Sequence, residues 1–190
     1  MSRKLKADIL FWNGRGILYI LEVGQNLALG RGLVETFMLD TNIFDKIIGN
    51  EELKTQIVEL RKKRQIAILT THIQIDELSA TPDIMKREKL LGFANEICDF
   101  IPTMGVVVGV SRLGMARLSN GEEIERIRQG DLRRTQDALI SATASSDADF
   151  LVTEDRSFAT RVQKNLADVR VLNFSKFVRK LNVMARRYLG

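Results

Sequence analysis

Phe37-Met38-Leu39-Asp40-Thr41-Asn42-Ile43-Phe44 is the stretch on which the fold turns. An apolar run ends on a single carboxylate, and polar residues then open a segment with Ile43, Phe44, Ile47 and Ile48 at helical spacing. That is the signature of a strand, Thr36 to Asp40, delivering an acid to the edge of a sheet before a helix over 42–48. Three more acids, Glu77, Asp137 and Asp155, recur downstream in comparable settings.

Working outward, the pattern repeats. Gly49-Asn50 breaks the first helix, and 51–64 makes a second, with Leu53, Ile57 and Leu60 inward and Arg61, Lys62, Lys63 and Arg64 at its end. Cations there suit the negative end of the helix dipole, so this cluster has a structural reading beside that of an RNA contact. Gln65 to Thr70 is a second strand. Thr70 and Thr71 are caps for a helix carrying Ile73, Ile75, Glu77 and Leu78. Thr81-Pro82 opens another helix, with proline at the first position, running to about Cys98. Val106 to Val110 is a candidate buried strand, and 111–121 is a polar link. Helices follow at about 121–128 and 131–146, the second capped by Asp131. Phe150 to Thr153 is a strand, Ser157 to Asn165 a helix, Val169 to Leu172 a last strand and 174–188 a last helix. Strands alternating with helices imply a three-layer α/β/α sandwich with a mainly parallel central sheet. In such sheets ligands gather at the carboxyl ends of the strands.

Residues 1–35 are less regular. Ile17 to Val23 reads as a short strand among Gly14, Gly16, Gly24, Gly30 and Gly32. Gly30-Arg31-Gly32 is no phosphate loop, since neither Lys-Ser nor Lys-Thr follows. The segment reads as an appendage, and Met38 is a candidate natural start from which the domain would lose little.

Composition narrows the chemistry. The chain has 190 residues, 45% of them hydrophobic, enough for one full core. Its formal net charge is +5, compatible with a nucleic-acid partner. Cys98 is the only cysteine and His72 the only histidine. Zinc sites built on His and Cys clusters are thereby excluded, as are Ser-His-Asp and Cys-His mechanisms that do not run through His72. Cys98 reads as a buried thiol. No run approaches the roughly 20 apolar residues of a membrane span, and the basic, glycine-broken N-terminus is a poor signal peptide, so a cytoplasmic protein is expected.

Carboxylates must therefore carry any chemistry. Asp40 and Asp155 both follow strands and should reach one sheet edge. Asp137 precedes Ala138-Leu139-Ile140-Ser141-Ala142-Thr143-Ala144, whose small side chains let a helix lie close to the sheet. Each acid also has a structural reading: Asp40 and Asp155 as helix caps, Glu77 as a solvated helix residue, Asp137 as a partner of Arg133 or Arg134. Together they form a cluster whose like charges raise one another's pKa unless a cation intervenes. All-oxygen ligation suits magnesium or manganese, and the implied reaction is metal-assisted hydrolysis of a phosphodiester.

The set Met38 to Ile43, Glu77, Asp137 to Ala144 and Asp149 to Phe158 resembles a PIN domain, over roughly residues 36 to 175. PIN domains are ribonucleases that need magnesium or manganese, and many are VapC-type toxins of toxin–antitoxin pairs. The resemblance implies that Asp40, Glu77, Asp137 and Asp155 are catalytic, with Asp40, Asp137 and Asp155 as metal ligands. Asn42 and Thr153 would orient acids or waters. It divides the chain into an N-terminal extension at 1–35, a nuclease domain at 36–175 and a basic C-terminal helix at 176–190. It also implies an RNA substrate, a protein antitoxin and a homodimer. From Arg156 onward nine basic residues face one acid, Asp168, so Arg156, Lys176, Arg179 and Lys180 are candidate RNA contacts. A helix packed on the domain with a solvated basic face is the structural counterpart. The extra N-terminal residues, the longer middle from Val106 to Asp131 and the basic tail depart from the compact toxin pattern. The alternative function is a nuclease-inactive module that binds RNA or a protein. An aspartyl phosphatase would want a second acid at position 42, which is Asn.

Overall fold

The computed structural model describes residues 10–12, 18–20 and 34–189. Two compact units divide the chain, Met1–Gly32 and Leu33–Gly190. In the first, β1 (Leu10–Trp12) and β2 (Leu18–Ile20) pair antiparallel, with Leu10 opposite Ile20. The rest of the expected strand from Ile17 to Val23, and Gly30-Arg31-Gly32, lie outside the described residues.

The second unit runs β3 (Glu35–Leu39), α1 (Thr41–Ile48), α2 (Glu51–Lys62), β4 (Ile66–Thr70), α3 (His72–Ser79), α4 (Ile84–Ile97), β5 (Cys98–Phe100), β6 (Thr103–Met104), β7 (Ala116–Arg117), α5 (Glu122–Arg128), α6 (Thr135–Asp147), β8 (Phe150–Val152), α7 (Arg156–Asn165), β9 (Arg170–Leu172) and α8 (Phe174–Tyr188). Five strands form one sheet in the order β5-β4-β3-β8-β9, every pair parallel. A parallel sheet must be covered on both faces, because its crossovers place helices there.

Alternation along the strands sorts the two layers. Phe37, Leu39, Ile66, Ile68, Phe150 and Val152 point into one core, with α1, α2, α4 and α8. Met38, Leu69 and Leu151 point into the other, with α3, α5, α6 and α7. This is the expected α/β/α sandwich. Phe37 stacks on Phe150 at 5.1 Å between ring centroids and meets Phe177 of α8 edge-on at 5.3 Å. Helix α6 is buried nearly all round from Ala138 to Ala144, as its small residues foretold.

Several expectations are corrected. Val106 to Val110 is an exposed loop, not a buried strand: Val108 is 97% exposed, and Gly105 and Gly109 take positive φ, which breaks an extended run. The missing edge strand is β5, entered directly from α4. Its sequence Cys98-Asp99-Phe100 is too short and too polar to announce itself. Pro82 does not open α4. Asp83 caps that helix, its Oδ1 accepting from the Lys86 amide at 3.0 Å, and Pro82 stands one residue before the cap. Asp131 caps a 3-10 turn, Leu132–Arg134, so α6 itself begins at Thr135.

A chain begun at Met38 would lose the first three residues of the central strand. Glu35, Thr36 and Phe37 belong to the central strand, pairing with Ile66, Ala67 and Ile68. Asp149 ties that strand in at its opening: Oδ2 accepts from both the amide and the hydroxyl of Thr36, each at 2.9 Å. Glu35 is paired with Lys180 at 2.7 Å.

Three of the four cations that close α2 are occupied structurally. Arg61 pairs with Asp99 at 2.7 Å, Lys62 with Glu59 at 2.8 Å, and Lys63 donates to the Tyr188 carbonyl at 2.6 Å. Cys98 is half-buried, and burial pushes its thiol up to about 12, far from a reactive thiolate. No helix among the described residues is long and apolar enough to cross a membrane.

Candidate functional site

The sheet order reverses direction between β3 and β8, since the chain runs outward from β3 through β4 to β5 and later returns to lie on its other side. A crevice opens beyond the carboxyl ends of two such strands, because their connections leave to opposite faces. Leu39 and Val152 are register partners at those ends, and the Asp40 amide donates to the Val152 carbonyl at 2.9 Å. Asp40 and Thr153 therefore leave the sheet side by side.

Asp40 serves as both cap and site residue. Its Oδ1 accepts from the Thr41 amide at 2.8 Å, starting α1. Its Oδ2 accepts from Asn42 Nδ2 at 2.6 Å and from Thr153 Oγ1 at 2.5 Å. Thr153, 2% exposed, turns its hydroxyl to a second task by accepting from the Asp155 amide at 3.0 Å. Asp155 then caps α7, its Oδ1 accepting from the Phe158 amide at 2.9 Å. A carboxylate has lone pairs enough to cap a helix and still face a ligand.

Glu77 arrives from α3. Gln74 fixes that helix: its Oε1 accepts from the Thr71 amide at 2.8 Å, and its Nε2 donates to the Leu39 carbonyl at 3.0 Å, both in the core. Glu77 Oε2 accepts from Thr41 Oγ1 at 2.9 Å, so Thr41 links the first acid's loop to the second acid. Asp137 comes from the first turn of α6. It pairs with Arg161 of α7, Oδ2 to Nη2 at 2.7 Å, and not with Arg133 or Arg134, which are held by Asp131 at 3.1 and 3.3 Å.

Electrostatics unite the four. Burial raises the Asp40 carboxyl above its ordinary 3.8, against the hydrogen bonds from Thr153, Thr41 and Asn42, and the Asp155 charge adds to the rise. Burial also raises Glu77, opposed by the Thr41 hydroxyl and reinforced by the charges of Asp40, Asp137 and Asp76. Asp137 is raised by burial and by Asp40 and Asp155, with Arg161 pulling the other way. Asp40, Glu77 and Asp137 thus each feel the charge of another acid of the set, and Arg161 is the cation paired with Asp137.

Among the described residues no three Asp, Glu, His or Cys side chains converge tightly enough to grip an ion directly. The donor set still fits a hard divalent cation. Magnesium is commonly held by one or two carboxylates while waters and substrate phosphate complete its shell. Four carboxylates from four elements, without His or Cys, supply oxygen donors of that kind.

The four candidate RNA contacts separate. Arg156 and Lys176 line a hollow of about 200 Å³ that includes Thr153 and Asp155. Lys180 is spent on Glu35 and lies over the Phe150 ring at 4.6 Å from its centroid. Arg179 is exposed on α8. That helix packs Phe177, Leu181 and Met184 into the core and keeps its basic face in solvent. A larger hollow of about 390 Å³, between α5 and α6, contains none of the four acids.

Sequence reasoning missed Thr41, Gln74 and Arg161. Thr41 and Gln74 had local signals, a hydroxyl directly after the acid and an amide three residues past Thr71. Arg161 had none, since its partner lies 24 residues away in the chain.

No family model and no curated protein matches the chain significantly. Among solved structures it is similar to PAE2754 from Pyrobaculum aerophilum, with a TM-score of 0.49 and 14% identity over 80% of this chain and 99% of that one. It is also similar to VapBC2 from Rickettsia felis bound to a DNA fragment from their promoter, with a TM-score of 0.46 and 18% identity over 73% of this chain and 98% of that one. Both scores fall below 0.5, so the sheet order and the side-chain geometry carry the reading below by themselves.

Proposed function

We propose that this protein is a PIN-type endoribonuclease that hydrolyses RNA phosphodiester bonds with magnesium or manganese. One observation carries the reading: at the switch point of a parallel sheet, Thr153 joins Asp40 to the Asp155 turn, Thr41 joins the Asp40 loop to Glu77, and Asp137 is held by Arg161 of the helix that Asp155 caps. Gathering partly buried carboxylates costs stability, and a divalent cation in the cleft would offset that cost.

Asp40, Asp137 and Asp155 are the residues that would hold the ion, in part through its bound waters. When bound, it activates water as a nucleophile and neutralises charge on the scissile phosphate. Thr153 and Asn42 keep the Asp40 carboxylate in one orientation, as supporting donors do at metal sites. Glu77 has one oxygen held by Thr41 and offers the other to a water proton. Arg161 balances Asp137. The partners that go with this reading are an RNA substrate, a protein antitoxin and a second copy of the chain.

The test is cleavage of a single-stranded RNA by purified protein. Cutting should require added magnesium or manganese and stop with a chelator. Asp40→Asn and Asp137→Asn should each abolish it while circular dichroism stays that of the parent. A folded Asp40→Asn variant that cuts at the parental rate would overturn the mechanism. Metal-independent RNA binding without cleavage by the parent would instead mark a nuclease-inactive module.

A further inference from the structure

We propose that the hollow between the first turns of α7 and α8 seats a backbone phosphate of single-stranded RNA, one flanking the linkage that is cut. The inference rests on the nuclease reading, one of whose acids, Asp155, lines this hollow beside Thr153.

Its chemistry is that of an anion seat. Arg156 enters from the first position of α7 and Lys176 from the first turn of α8, and Gln163 of α7 shares the lining. Among the described residues, none of these three side chains takes part in a hydrogen bond or an ion pair, whereas other nearby cations are committed. Lys46 is held by Glu154 at 3.1 Å, Arg161 by Asp137 at 2.7 Å and Lys180 by Glu35 at 2.7 Å. Two acids also line the hollow: Glu154 is satisfied by Lys46 and by the Phe174 amide at 2.8 Å, and Asp155 caps α7 with one oxygen. Arg156 and Lys176 thus remain available, and both converge on one cavity.

The hollow holds about 200 Å³, below the roughly 300–1,000 Å³ usual for sites that engulf drug-sized ligands. A phosphate with its waters fits the smaller space. The hollow of about 390 Å³ between α5 and α6 fails on charge, since Glu122, Glu123 and Asp168 outnumber the single cation Arg126 in its lining. A phosphate seated beside Asp155 would hold the strand in register, so that a neighbouring linkage faces the acids.

The experiment measures binding of a fluorescent twelve-nucleotide single-stranded RNA by the full chain in chelator, across a salt series. Each cation that contacts a phosphate of a single strand contributes a slope of about 0.7 to the fall of log K with log salt. Arg156→Gln with Lys176→Gln should therefore flatten the slope by about 1.4 and weaken binding at least tenfold at low salt. Arg186→Gln with Arg187→Gln removes the same charge from the exposed far end of α8, and should leave the slope unchanged. Equal effects of the two double variants, or no effect of the first, would overturn the subsite and leave the nuclease reading standing if the parent still cuts RNA with added metal. Failure of the parent to bind RNA at all would overturn both. A parent that binds through Arg156 and Lys176 yet never cuts would keep the subsite and sink the hydrolysis.

Discussion

Replacing Thr153 by valine probes the centre of the site with almost no change in shape. The buried hydroxyl donates to Asp40 at 2.5 Å and accepts from the Asp155 amide at 3.0 Å. A hydrogen bond to a charged group contributes about 1.5–3 kcal/mol and a neutral one about 0.5–1.5 kcal/mol. Burying the extra methyl returns about 0.8 kcal/mol. The expected net loss is about 2–3 kcal/mol at neutral pH, or a melting temperature lower by about 4–12 °C for a chain of this size. The loss should depend on pH in a set direction. Thr153 holds the Asp40 carboxyl down against burial, so valine lets it rise further. The variant's deficit is full where Asp40 is ionised in both folded forms, and the share owed to the charged bond fades as pH falls from the variant's higher value through the parent's, which itself lies above 3.8. Urea unfolding at pH 7 and pH 3.5 measures both quantities, with Thr153→Ser as the variant that keeps the hydroxyl. A valine variant as stable as the parent at pH 7, or one with the same deficit at both pH values, would refute the hub assigned to this residue.

Glu77→Gln should raise the melting temperature at neutral pH while abolishing cleavage. The folded carboxyl is raised by burial, so its ionisation costs stability as pH rises through that value, and the amide keeps an acceptor for Thr41. Thermal melts at pH 7 and pH 3.5 check this, and a lower melting temperature for the variant at both would contradict it. A chain beginning at Leu33 should give the cooperative unfolding of the main unit, whereas one beginning at Met38 should not fold. The latter lacks Phe37, fully buried, whose loss alone costs about 3–5 kcal/mol by analogy with core Phe→Ala changes, and three of the four register pairs of β3 with β4. A folded, cooperative 38–190 fragment would show that the central strand tolerates the cut.

The fold was legible because its central strands are continuous apolar runs and its helices keep a 3.6-residue period. β3, β4, β8 and the helices after them follow directly from Phe37-Met38-Leu39, Ile66 to Leu69 and Phe150 to Val152. What escaped was set by long-range contact. Three residues of β5 become a strand only because β4 offers them a ladder. Val106 to Val110 is apolar enough for a core, yet two glycines with positive φ turn it into a loop. The four acids could be nominated from order and spacing, but their hydrogen-bonded support could be found only in part. Thr153 and Asn42 stood next to the acids in sequence, whereas Arg161 reaches Asp137 across two helices.

The margins of the central sheet bear on assembly. Both outer strands, β5 and β9, are three residues long. Asp99 of β5 is clamped by Arg61, and Arg170 opens β9 with its guanidinium 4.0 Å from the Phe150 ring centroid. Short, charged edges are poor templates for an incoming strand. A second copy or a protein partner would therefore have to dock on helices or loops, and the sheet would stay five strands wide in any oligomer.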